Sequence, residues 1–316
     1  MQTKKKFRLV TRSDLDGLVC AVLLKHLEMI DDILLVDSPS AMSGGQVEIG
    51  PDDITSNLPY VPGAHLCFDH HVSETLRNKP AQGYIMDPDA PSAARVIYEY
   101  YGGKNTFPSF FDEIMEAVDK ADSGDFSREE ILHPEGWPLL NFLVDGRTRV
   151  EEWGDFRIDQ IAFKKKLVDL MGKMSIDEIM AFPDVRERAE VYFKYGEKYK
   201  QQLMSTVRIY DNVAVIDFRE CRSIYPGNRF IIYALYPECN ISIQIKQEKE
   251  DPVTTFSVGK SIINQTSDAN IGELMYEYGG GGHRAAGACH VDNDQADRVF
   301  GEILGKLMEE KTVSLN

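Results

Sequence analysis

No stretch of this chain approaches the ~20 consecutive apolar residues that a membrane-spanning helix needs. Met1 to Lys6, followed by Phe7-Arg-Leu-Val10, also lacks a secretory apolar core. The sequence therefore predicts a soluble, cytoplasmic protein with no membrane partner. Cysteine is scarce: Cys20, Cys67, Cys221, Cys239 and Cys289 are odd in number, scattered, and never spaced as Cys-x-x-Cys. That pattern fits a reducing compartment and predicts free, mostly buried thiols. Positive charge is in deficit as well. With 35 Lys+Arg against 51 Asp+Glu, the net charge of -16 argues against a broad basic face for long duplexes, whose affinity comes from phosphate neutralisation. A small or single-stranded phosphorylated substrate, held locally, stays compatible. Aromatic residues are sparse near the C-terminal glycine run, where Tyr276 and Tyr278 stand alone, so base stacking there is undecided.

The 316 residues exceed what one core usually serves, which predicts two domains. The stretch that organises the first is Ala64-His-Leu-Cys-Phe-Asp-His-His71. A short apolar run ending in an acid and two imidazoles reads as a buried strand opening into a cleft. Imidazole and carboxylate together suit Mn2+, Fe2+ or Zn2+. Ordinary loop histidines are the alternative for His70 and His71 taken by themselves.

Earlier in the chain, strand Phe7-Arg-Leu-Val-Thr11 and the apolar helix Leu18 to Met29 flank Arg12-Ser-Asp-Leu-Asp-Gly17. This places Asp14 and Asp16 at the carboxyl end of a strand, where open α/β sheets bind ligands. Each could reach a different cation, or they could be an N-cap and a turn residue. A second strand, Asp32 to Asp37, ends in Asp37, and the stretch Ser38 to Pro62, with Gly44-Gly45 and three prolines, reads as loop. Helices are expected over Ser92 to Tyr101 and Phe110 to Val118, the latter running into Asp122-Ser-Gly124. From Glu151 to Met204 the pattern is helical with Pro183 as its main interruption, and Lys164-Lys-Lys166 reads as a solvated helix face.

Beyond residue 207 an alternating pattern predicts strands at Val213 to Phe218, Phe230 to Tyr236, Ile241 to Ile245 and Thr254 to Val258, with a closing helix from Asp294 to Glu310. The expected organisation is a domain over 1–190, a helical connector over 191–206 and a smaller α/β domain over 207–316. In the last, Tyr278-Gly-Gly-Gly-Gly-His-Arg-Ala-Ala-Gly287 reads as a phosphate cradle of backbone N–H groups, with His283 and Arg284 beside it.

Taken in order, Asp14-Leu-Asp-Gly17, Asp69-His-His71, Asp122-Ser-Gly124 and Gly280-Gly-Gly-His283 resemble the DHH phosphoesterase family with its DHH-associated C-terminal domain, over nearly the whole chain. The resemblance implies an α/β fold: a parallel-sheet DHH domain joined by a helical connector to a smaller α/β C-terminal domain. It implies metal-dependent hydrolysis of phosphodiester bonds in short single-stranded oligonucleotides or small nucleotides, of the oligoribonuclease, adenosine bisphosphate or cyclic dinucleotide type. The cofactor would be Mn2+, as one or two ions, or Mg2+ in its stead. Exopolyphosphatase or pyrophosphatase activity, and a degenerate nucleotide-binding protein, are the alternatives. A homodimer follows from family analogy alone.

Carried over by residue, the resemblance gives Asp14 and Asp16 one metal each and makes His70 and Asp122 ligands of the better-defined site. Asp69 would orient its neighbour, His71 would face the scissile phosphate, and Gly280, Gly281, Gly282, His283 and Arg284 would hold substrate in an interdomain cleft. Two departures stand out. Where the family commonly places a metal-binding His, two or four residues before Asp14, this chain has Arg12 and Val10. The bridging Asp of the family is also not fixed here: Asp37 has the best strand-end context, with Asp52 and Asp53 as alternatives. Arg12 is expected to take over part of the missing metal's role, since a guanidinium clamps phosphate and is always charged.

Overall fold

The computed structural model describes residues 5–37, 42, 45–247 and 252–309; Gly44 of the loop-rich stretch and Glu310 of the expected closing helix lie outside them. The chain divides into two compact units, Met1–Phe126 with His133–Phe193, and Ser127–Leu132 with Lys194–Asn316. Among the described residues no helix is long and apolar enough to cross a membrane.

The first unit is built on five parallel strands, β1 (Phe7–Arg12), β2 (Ile30–Val36), β3 (Asp53–Ser56), β4 (Leu66–Asp69) and β5 (Tyr84–Met86), in the order β2-β1-β3-β4-β5. Because the chain leaves β1 toward β2 on one side and reaches β3 on the other, the strand order reverses at the β1/β3 junction. The carboxyl ends of these two strands therefore flank the crevice where such sheets bind ligands.

Helix α1 (Leu15–His26) follows β1 and is apolar all round; Leu18, Leu23 and Leu24 are fully buried. Its surroundings explain this, since α3 (Ala93–Tyr100), α4 (Phe110–Ser123) and α7 (Gln160–Met171) all pack on it. Each such leucine contributes roughly 1.5–3 kcal/mol of burial, so the helix that starts at the acidic motif is also the anchor of the unit. A short α2 (Val72–Arg77) follows β4. The chain then makes an excursion, α5 (Arg128–Leu132), which clusters with the second unit. There the buried Asn228 side-chain amide donates to the Ile131 carbonyl at 3.0 Å. Helices α6 (Gly136–Val144), α8 (Ile176–Met180) and α9 (Pro183–Thr206) complete the helical stretch. The helical stretch breaks at residues 181–182, immediately before Pro183, which opens α9, where its missing N–H has no intrahelical partner to lose.

The second unit is a six-stranded mixed sheet, in the order β10-β11-β9-β8-β7-β6. Its strands are β6 (Val207–Tyr210), β7 (Val213–Asp217), β8 (Ile241–Gln247), β9 (Val253–Lys260), β10 (Gly281–Gly282) and β11 (Ala286–Asp292), with helices α10 (Ile231–Leu235), α11 (Ile271–Glu277) and α12 (Ala296–Glu309). Alternate residues Ile241, Ile243 and Ile245 of β8 join Phe256 and Val258 of β9 in a core closed by Met275 of α11 and Ile303 and Leu307 of α12. The stretch expected as a strand at Phe230 to Tyr236 is helical instead. Asn228 Oδ1 accepts from the Phe230 N–H at 3.1 Å, and its carbonyl accepts from Ile231, so a side-chain turn starts the chain into helix before a strand can form. All five cysteines are free, and four are buried.

Candidate metal centre

The carboxyl ends of β1, β3 and β4 lie on one edge of the parallel sheet, and the acidic motif begins there. Asp14 is the N-cap of α1: its Oδ1 accepts from the Gly17 N–H at 3.1 Å. The tight turn requires glycine next, since a Cβ on Gly17 would lie 1.8 Å from the Arg12 carbonyl oxygen. Asp16, only 3% exposed, points away from solvent to the start of α3. Its two oxygens accept from the Ala93 and Ala94 N–H groups at 2.9 and 2.8 Å, an anion at a helix N-terminus. That terminus is itself fixed, because Ser92 caps α3 while donating to Asp119 at 2.7 Å, and Asp119 also accepts from Arg95 Nε at 2.9 Å.

His70 enters from the end of β4. Its Nδ1 lies 3.0 Å from the Ala90 carbonyl oxygen and so carries the hydrogen, leaving Nε2 as the ligating nitrogen. That nitrogen is 3.1 Å from Asp122 Oδ2 and 3.8 Å from Asp16 Oδ2. Asp122 comes from the last turn of α4, which Gly124 ends in the left-handed conformation with φ 72°. Potential ligand atoms of Asp16, His70 and Asp122 all lie within 4.8 Å of one another. Two carboxylates and an imidazole with its tautomer set by a backbone carbonyl fit a divalent cation such as Mn2+.

The electrostatics point the same way. Burial, reinforced by the charge of Asp122, pushes the Asp16 carboxyl up to about 8. For His70, burial disfavours the charged ring but is outweighed by the hydrogen bond and charge of Asp122 and the charge of Asp16, which raise it to about 10. Protons thus gather where negative charge is packed too densely, and a dication would take their place.

The other residues expected at the site stand outside this cluster. Asp14 abuts the cluster in sequence, but its Oδ2 is paired with Arg12 Nε at 3.1 Å. Asp37 accepts from Ser13 Oγ. Asp52 and Asp53 stand at the amino end of β3 and pair with Lys5 and Arg8. Asp69 is fully buried and accepts from His71 Nδ1 at 2.7 Å, while His71 occupies the N-cap position of α2 without a side-chain capping bond. Sequence reasoning passed over two residues. Asn57, at the carboxyl end of β3, is 1% exposed with φ 53°, and its Nδ2 donates to Asp14 Oδ1 at 3.0 Å. Lys164 is no part of a solvated face: it is 1% exposed, and Nζ donates to the Ser13 carbonyl at 2.6 Å, bracing the motif from α7.

In the second unit the glycine run has a packing role. The N–H groups of Gly279, Gly280 and His283 donate to the carbonyls of Tyr276, Met275 and Ala286, so they are not turned toward an anion. A Cβ on Gly280 would lie 2.0 Å from the Ala288 carbonyl oxygen, and Gly282 has φ 150°. Gly281 and Gly282 form β10, paired with β11. The side chains of His283, half-buried, and Arg284, exposed, are what this run offers a ligand.

The comparison that decides the family spans the chain. PggH, a pGpG-specific phosphodiesterase from Vibrio cholerae, has a solved structure that is 50% identical in sequence. The match covers 96% of this chain and 100% of PggH with a TM-score of 0.76. This chain belongs to the DHH phosphoesterase family. The family is one of metal-dependent hydrolases. RecJ from Thermus thermophilus, solved with Mn2+, matches at 12% identity and a TM-score of 0.48 over 96% of this DHH phosphoesterase, which spans 52% of the RecJ chain. Among curated proteins, 61 residues (19% of the chain) are 38% identical to the A-adding tRNA nucleotidyltransferase of Aquifex aeolicus, of which they span 7%. No family model matches.

Proposed function

We propose that this protein is a phosphodiesterase that hydrolyses a linear 5'-phosphorylated dinucleotide of the pGpG kind to two mononucleotides. The observation that carries this reading is the 50% identity, end to end, to a pGpG-specific phosphodiesterase. Asp16, His70 and Asp122 would hold a divalent cation, Mn2+ or Mg2+. When bound, such an ion supplies charge neutralisation at the phosphoryl oxygens and a more acidic water.

The chain's own residues supply the rest. With Nδ1 held by Asp69, the His71 nitrogen that can carry a proton to or from the reacting groups is Nε2. Arg12 offers a guanidinium to a phosphoryl oxygen. In the overall change, water oxygen bonds to phosphorus, the P–O3' bond breaks, and the proton passes to the leaving 3'-oxygen. His283 and Arg284 are the proposed phosphate contacts from the second unit. A cytoplasmic location and a homodimer belong to the same proposal.

The test is hydrolysis with Mn2+ of a panel holding pGpG, a cyclic dinucleotide, adenosine bisphosphate and tripolyphosphate. Release of GMP from pGpG by wild type, lost in Asp122→Asn with the fold retained, is expected. Cleavage of tripolyphosphate in preference to pGpG would replace the reading with a polyphosphatase. Silence across the panel would replace it with a nucleotide-binding protein.

A further inference from the structure

A second divalent ion drawing on the same acidic motif as Asp16 would take its lone pairs from Asp14, two residues away. Its oxygens are already engaged. Oδ2 faces Arg12 Nε at 3.1 Å, while Oδ1 accepts from the Gly17 N–H at 3.1 Å and from Asn57 Nδ2 at 3.0 Å. Neither partner is loosely placed. Asn57 is buried in a left-handed backbone conformation at the end of β3, and the Arg12 side chain is 24% exposed, so its charge is partly withdrawn from water. Asp37 is engaged by Ser13, which Lys164 also contacts. Asp52 and Asp53 sit at the wrong end of β3.

We propose that this enzyme works with a single divalent ion, and that Arg12, held by one oxygen of Asp14 while Asn57 occupies the other, is the second positive charge of the site. The guanidinium does part of what a second ion would do, because it presents fixed N–H donors and a permanent charge to phosphate. It cannot acidify a water, so proton handling falls to His71 and to the one ion. Asn57 matters because an amide cannot serve as the anionic bridge between two cations, and here its nitrogen faces the shared carboxylate. The inference rests on the reading that Asp16, His70 and Asp122 bind metal, and its test separates the two.

Metal-free full-length protein is titrated with Mn2+, with bound metal counted by elemental analysis and the Mn2+ electron paramagnetic resonance spectrum recorded at saturation. Wild type is expected to bind one ion per chain with the six-line spectrum of an isolated ion. The double variant Arg12→His, Asn57→Asp should bind a second ion and show a spin-coupled spectrum. Two ions in wild type with a coupled spectrum would overturn the proposal. One ion in both proteins would keep the count but remove the role given to Arg12 and Asn57. Circular dichroism of each variant establishes that it is folded, and Arg12→Lys, which keeps the charge, should still bind one ion. Asp122→Asn tests the underlying reading separately: if its Mn2+ binding equals that of wild type, the ion lies elsewhere and the site assignment itself falls.

Discussion

Lys164 and Lys165 are neighbours on α7, yet their replacement should differ sharply. Lys165 is about half exposed and reaches Asp32 at 3.6 Å, an exposed pair worth about 0–1 kcal/mol. Lys164 is buried, donates to the Ser13 carbonyl at 2.6 Å and lies 3.3 Å from Ser13 Oγ, which itself donates to Asp37. In Lys164→Met the aliphatic stem is kept, but a hydrogen bond from a charged donor, worth about 1.5–3 kcal/mol, is lost and the Ser13 carbonyl is left without its donor. Burial lowers the lysine's pKa, with the charges of Asp37 and Asp14 opposing it, so removing the ammonium also relieves a desolvation cost. A net loss of about 2–3 kcal/mol remains, which for a unit of this size lowers the midpoint by about 5–10 °C. Thermal unfolding followed by circular dichroism, with Lys165→Met alongside, reads this directly. Because the lost contact is to the residue before Asp14, the rate on pGpG should fall as well. Equal midpoints for the two lysine variants would refute the argument, since they would show that the Ser13 contact carries no net stability.

How much of this was readable beforehand depends on what surrounds each residue. Asp16, His70 and Asp122 were legible because each closes a segment whose own periodicity is clear: strand before motif, apolar strand before imidazole, amphipathic helix before acid. The parallel sheet and the second α/β unit were legible for the same reason. Asn57 was not, because β3 is four residues long and buries Asp53, Thr55 and Ser56, polar groups that read as loop among prolines and glycines. Inside the fold Asp53 pairs with Arg8 at 2.7 Å, while Ser56 Oγ donates to Thr11 Oγ1 at 2.8 Å and Thr11 Oγ1 to the Ser56 carbonyl at 3.1 Å. Lys164 was hidden by its two charged neighbours, since a run of lysines on a helix normally faces water. For Ile231–Leu235, five apolar residues are ambiguous between strand and buried helix, and the deciding contact comes from Asn228. The composition of the glycine run suggests an anion cradle, whereas the N–H groups of Gly279, Gly280 and His283 are taken up by the end of α11 and the β10–β11 hairpin.

Three further perturbations follow from the same geometry. Gly17→Ala should abolish pGpG hydrolysis and destabilise the fold, because the new Cβ would sit 1.8 Å from a backbone oxygen that no side-chain movement can clear; a stable, active variant would refute the turn. Gly282→Ala, at φ 150° with a Cβ 2.3 Å from the Ala286 carbonyl oxygen, should lower the midpoint of the second unit more than Gly305→Ala, which meets nothing within 4 Å. Asp53→Asn tests a pH dependence. Burial of Asp53 works to raise its pKa, but the Arg8 hydrogen bond and the Gly50 N–H outweigh it and leave the carboxyl below its ordinary 3.8. A folded pKa below the unfolded one means that the unfolded chain binds the proton first on acidification. The stabilisation is therefore complete above the ordinary carboxylate range and is lost as the pH falls through the depressed folded value. Wild type should lose stability relative to Asp53→Asn only in that acid window, by urea unfolding at stepped pH. A difference between the two that stays constant down to the acid limit would show that the Arg8 pair holds β3 by shape and hydrogen bonding alone, with no net preference for the ionised carboxylate.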